Sequence, residues 1–131
     1  MTASLQTLLT IGVGSFFGGI SRYAIGQIVN ENIGDSSFPW ATFFINVAGC
    51  ILIGALSAIF HYLYSNHYSW ELLLSVGFCG SFTTFSTFIN ENFYLARTNE
   101  IFTAIIYTAC SLICGLFALW AAYSFVRNFI C

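Results

Sequence analysis

The sequence predicts an all-α membrane protein of four transmembrane helices, the third of them broken, and three observations carry that prediction. Of 131 residues, 58% are hydrophobic and only 6% charged, where a soluble domain carries roughly 25% charged residues. The apolar residues fall into four stretches of about 20–25, each long enough to cross roughly 30 Å of hydrocarbon. The third stretch is interrupted by a glycine and a run of hydroxyl residues, which are poor helix formers. Three basic and five acidic side chains are too few to cover a water-soluble fold of this size. The spans use up nearly all the length, so residues 1–131 are expected to form a single transmembrane domain.

The first span is read near Leu5–Val29. No positive segment precedes it and it is long enough to cross, so it is expected to be a permanent helix and not a cleaved signal peptide. Asn30–Pro39 follows as a loop with Glu31, Asp35 and the only proline, which sets up the start of the second span near Trp40–Tyr64. His61–Ser69 reads as an aromatic and polar loop, with His61 and His67 lacking any partner pattern that suggests catalysis. The third span is read near Trp70–Leu95, and Arg97-Thr98-Asn99-Glu100 forms a tight link to the fourth, near Ile101–Val126. Gly14 and Gly18 form a G-x-x-x-G pair, which allows close helix approach within or between subunits.

Charge excludes several functions. The net charge of −2 and the absence of lysine leave no basic cluster for nucleic acid, phosphate or lipid headgroups. The cysteine count is odd and none shows zinc-like spacing with histidine, so the thiols are expected to be reduced. Topology signals are nearly balanced. Arg97 lies in a loop on one face, Arg127 lies on the other, and Arg22 is inside helix one. So weak a bias makes insertion in both orientations, and hence an antiparallel homodimer, plausible; a singly oriented chain is the alternative. No internal repeat is visible, so a two-fold pore would need two chains.

The chemistry concentrates in the third span. Ser81, Thr83, Thr84, Ser86 and Thr87 follow Gly80 directly, after Leu72–Phe78, which reads as a plain apolar helix. Clustered hydroxyls compete for backbone hydrogen bonds, and freed backbone groups survive in a bilayer only where buried in protein or facing a wet cavity. A helix broken there ends in carbonyl oxygens suited to a hard cation such as Na⁺. The alternative is a continuous helix whose hydroxyls bond back one turn. Phe85 and Phe88, three apart, share a helix face; ring edges are electropositive and could support an anion weakly enough for conduction, or the rings could simply pack.

Thr42 and Asn46 share a face of helix two, where the carboxamide could donate to an anion or serve as interhelical glue. Tyr107 and Ser111 repeat this spacing on helix four and with Asn46 could form a polar track. Arg22 is either an interfacial anchor or the positive charge of an anion vestibule. Glu91, between Asn90 and Asn92, could pair with an arginine or bond a helix end. No nucleophile–base set appears, so an enzyme is not expected.

These residues resemble the Fluc/CrcB family of fluoride channels. The likeness is carried by Gly18-Gly19-Ile20-Ser21-Arg22-Tyr23, by Thr42-Phe43-Phe44-Ile45-Asn46-Val47-Ala48-Gly49, and by Gly77-Phe78-Cys79-Gly80-Ser81-Phe82-Thr83-Thr84-Phe85-Ser86-Thr87-Phe88. It implies an antiparallel dual-topology homodimer in a bacterial inner membrane, with two pores that let cytoplasmic fluoride leave passively and so reduce its toxicity. It further implies a central structural Na⁺ held by backbone carbonyls of Gly80 and Thr83. Phe85 and Phe88 would contact fluoride, Asn46 would stand near the pore entrance, and Thr84 and Ser86 would line the broken segment. Tyr107 and Ser111 would continue the polar track. Gly80-Ser81 stands where the family has a Gly-Gly pair, a change expected to be tolerated. Fluoride itself is implied only by the resemblance; the residues alone point to a narrow pore for a small anion. The rivals are a small multidrug exporter, disfavoured because the first span lacks the carboxylate that such transport needs, and an accessory subunit without transport.

Overall fold

The computed structural model describes residues 4–62 and 68–130 of the chain. Its four long helical segments are α1 (Leu5–Ile33), α2 (Trp40–Tyr62), a third span over Tyr68–Arg97 whose last part is α3 (Phe85–Arg97), and α4 (Ile101–Ile130). Each is long and apolar enough to cross a membrane. The expected end of the second span at Tyr64, and also His67 and Cys131, lie outside the described residues.

The helices overrun the apolar stretches because hydropathy marks the limits of hydrocarbon, while a helix continues until its backbone is capped. Ser4 caps α1, its hydroxyl accepting the Thr7 N–H at 3.2 Å. At the other end Gly34 adopts φ +70° and donates to the Asn30 carbonyl at 3.0 Å, the left-handed stop that glycine favours. Asn30 to Ile33, expected in a loop, are therefore helical. The first helix accordingly contains one carboxylate, Glu31, exposed in its last turn. His61, also expected in a loop, lies in the last turn of α2. The third span closes at Thr98, whose N–H reaches the Tyr94 carbonyl at 3.0 Å, and Asn99 turns the chain at φ 63°. Arg127 lies within α4.

One expectation is overturned inside the third span. Leu72–Cys79 is wound as a π-helix and not as a plain α-helix. The reason is tertiary. This segment lies against α1, and Gly14, Gly18 and Gly77 sit at the contact. A Cβ at Gly14 would collide with the Leu73 carbonyl, and one at Gly18 with the Phe78 carbonyl. One at Gly77 would come within 2.7 Å of the Ile11 carbonyl. The G-x-x-x-G pair thus packs within the chain. The Ser15 hydroxyl adds a long bond, 3.5 Å, to the Gly77 carbonyl.

On the other side α2 runs along α4, with Gly54 against the Leu119 carbonyl and Gly115 beside the Cys50 Sγ. Phe88, Leu95 and Tyr107 form a buried cluster, flanked by Phe38, Phe43 and Ala104. Phe16, Phe102, Leu116 and Phe129 project outward, as lipid-facing side chains do. The two helix pairs thus hold the centre of the third span against α2.

Candidate ion pathway beside the third span

Thr83 and Thr84 have extended backbones, with ψ of 157° and 117°, between the short helical turn Gly80–Phe82 and α3. Side chains replace the helical bonds lost there. The Asn46 Oδ1 accepts the Thr84 N–H at 2.9 Å, and its Nδ2 donates to the Thr84 carbonyl at 3.1 Å. Asn46 is thus glue between α2 and the third span, with one amide N–H left over for a ligand. The Thr84 hydroxyl caps α3 by accepting the Thr87 N–H at 3.3 Å and donates to the Thr87 hydroxyl at 2.9 Å. Only Thr83 bonds back one turn, its hydroxyl donating to the Cys79 carbonyl at 2.9 Å. Gly49 makes the approach of α2 possible, since a Cβ there would collide with the Thr83 methyl.

These substitutions free two carbonyls. The N–H groups that would ordinarily bond Gly80 and Thr83 are those of Thr84 and Thr87, and both turn instead to side-chain oxygens. Carbonyl oxygens without their usual donors, those of Gly80 and Thr83 among them, are the kind of ligand a hard cation takes. Among the described residues no three His, Cys, Asp or Glu side chains cluster, so backbone and hydroxyl oxygens are the available donors.

A cavity of about 480 Å³ opens beside this segment. It brings together Asn46, Gly80, Thr83, Thr84, Phe85, Phe88 and Ser111. The Ser111 Oγ is buried and has no hydrogen-bond partner among the described residues. Phe85 and Phe88 line the same cavity with rings 6.1 Å apart, yet Phe88 is 7% exposed and Phe85 75%. Ser86 lies on the exposed side of α3.

Tyr107 is separate from this cavity. Fully buried, its ring lies 5.0 Å from Phe88 and its hydroxyl donates to Glu91 Oε2 at 2.7 Å. The Thr42 hydroxyl donates to Glu91 Oε1 at 2.7 Å. The expected partner of Glu91, an arginine or a helix end, is therefore corrected: two hydroxyls from α2 and α4 reach its carboxylate, while Arg97 lies over the Phe93 ring at 5.7 Å. Beyond this group is a second cavity, about 330 Å³, whose lining includes Arg22, Gln27, Asn30, Thr42 and Glu91. Arg22 is half-buried and faces this polar hollow, well short of the helix end. The single track expected of Asn46, Tyr107 and Ser111 is thus two groups, with the Phe88 and Tyr107 rings between them.

Sequence reasoning missed Gly49, Cys50, Ile53 and Ser75 as cavity-lining residues. Their nearest signals were the positions of Gly49 one turn after Asn46 and of Ser75 one turn before Cys79.

Comparison with known proteins finds relatives over most of the chain. The family model described as CrcB-like protein, Camphor Resistance (CrcB), matches residues 9–123. The "Fluoride-specific ion channel FluC" of Flavobacterium psychrophilum is 36% identical over 123 residues, covering 88% of this chain and 93% of its own. The protein of the same description from Nitrobacter winogradskyi is 37% identical over 120 residues, covering 92% and 94%. That from Acidobacterium capsulatum is 37% identical over 112 residues, covering 86% and 89%.

Proposed function

The chain belongs to the CrcB-like family, and from that premise we propose that it is a passive, fluoride-selective channel of a bacterial inner membrane, relieving the cell of cytoplasmic fluoride. The observation that carries this reading is the cavity that gathers Phe85, Phe88, Asn46 and the partnerless Ser111 hydroxyl. A buried hydroxyl without a partner is costly unless something fills the place, and a small anion crossing the cavity accepts that donor. The two ring edges add weak positive potential. None of these groups carries a full charge, so the anion is not trapped.

Arg22 draws anions into the hollow it lines. From there the path passes Glu91, whose negative charge is offset by hydrogen bonds from Thr42 and Tyr107. The extended Thr83-Thr84 pair acts as the functional break of the third span. In this reading an antiparallel dual-topology homodimer supplies Gly80 and Thr83 carbonyls from two copies to a structural Na⁺, whose fixed positive charge lies near the anion path. Phe85, three-quarters exposed, then faces the second copy, and the pair of chains has two pores.

Purified protein in liposomes tests the proposal. With a valinomycin-set K⁺ current, fluoride should leave quickly and chloride should not, with no proton gradient required. Absence of a fluoride-selective leak, or dependence on a proton gradient, overturns it.

A further inference from the structure

A conduction path needs an opening at each face of the membrane, and the cavities already described account for one. α2 begins beside the Arg22 hollow, at Trp40, and crosses to its last turn at His61. The third span starts at that opposite end, with Glu71 in its first turn. Between these termini lies a further cavity of about 400 Å³, lined by Ile53, Ser57, Phe60, His61, Glu71 and Ser75. It shares Ile53 and Ser75 with the cavity that holds Phe85, Phe88 and Ser111. Ile53, Ser57 and His61 follow one another at four-residue spacing, which places them on one side of α2. Past Ile53, Ser57 and His61 carry polar groups to the end of α2, and Ser75 of the third span lines the same cavity. Polar groups inside a span carry a cost that a role in a wet pathway explains.

We propose that the groove between α2 and the start of the third span, narrowed at Ile53 and Ser75 and rimmed by His61 and Glu71, is the second mouth of the anion path. Ser57 and Ser75 supply hydroxyl donors to a small anion leaving the central cavity. Glu71 at the rim opposes anion passage by like-charge repulsion, and His61 stands across the same cavity from it. Both rim residues are exposed, so solvent and salt dull their effect, and blocking the groove should matter more than changing its charge. The inference rests on the fluoride-channel reading.

Fluoride efflux from liposomes separates the two claims. If the wild-type chain shows no selective efflux, the channel reading itself fails. If it conducts, Ser75→Trp should lower efflux at least about tenfold, equal to about 1.4 kcal/mol of added barrier. Ser57→Trp should do the same, and because Ser57 is exposed that variant should keep the wild-type elution profile on gel filtration. Glu71→Gln should raise efflux at low ionic strength, an increase that fades as salt is added. A wild-type chain that conducts, with Ser57→Trp eluting normally and conducting equally well, overturns the second mouth and leaves the channel reading standing.

Discussion

Two polar regions lie a few residues apart, and they differ in how fully their polar groups are paired. Around Glu91, each donor has an acceptor: Thr42 and Tyr107 both reach the carboxylate, and the Tyr107 ring is enclosed between Phe38 and Phe88. Around Thr83 and Thr84, the Ser111 hydroxyl has no partner among the described residues, two carbonyls have lost their usual donors, and Phe85 stands exposed. The first region has the character of structure. The second keeps unpaired polar groups, which the proposed channel would use for an ion and for contact with another copy of the chain. The difference teaches that polar residues at membrane depth are not all functional in the same sense: those satisfied internally hold the helices, and those left unsatisfied mark where something must bind or pass.

Substitutions can break this contrast. The largest effect on stability is expected at the join of the two regions. Asn46→Leu leaves the Thr84 N–H and carbonyl without partners and should cost about 2–6 kcal/mol, at about 1–3 kcal/mol for each unsatisfied group. Thermal unfolding in detergent measures this, and an unchanged melting point would mean that the clamp does not hold the extended pair. Next, Tyr107→Phe removes one of two donors to a carboxylate and should cost about 1.5–3 kcal/mol. A neutral result there would show that the Glu91 group is no more satisfied than the other. Ser111→Ala should be the mildest and should not lower stability, because its buried hydroxyl has no hydrogen-bond partner among the described residues and so offsets none of its desolvation. Fluoride efflux should nevertheless fall in that variant, and efflux equal to wild type would remove Ser111 from the path.

The spans were legible because a bilayer imposes a length on apolar segments, and that length is written locally. Their ends were less so: Asn30–Ile33 and His61 are polar enough to read as loop, yet the helix continues through them to a cap. The π-helical winding of Leu72–Cys79 had no local sign, because a run of apolar residues looks the same in either winding and the contact with Gly14 and Gly18 comes from a distant part of the chain. At the candidate site, the hydroxyl run and the two phenylalanines stood out as residue types. What they do depends on partners far away in sequence. Asn46 and Thr84 are joined over a separation of 38 residues, and spacing alone could not tell glue from ligand. Nor could it foresee that Phe85 and Phe88, on one helix face, would differ so widely in exposure, since that depends on how far α2 and α4 reach around α3.

Phe85 tests the central claim most directly, because it lines the unfinished cavity and contributes little to the packing of its own chain. The measurement is fluoride efflux from liposomes for the wild type and Phe85→Leu, paired with their melting temperatures. The account predicts efflux reduced at least about tenfold, equal to about 1.4 kcal/mol of barrier, with the melting temperature nearly unchanged. Undiminished fluoride efflux from Phe85→Leu would contradict it.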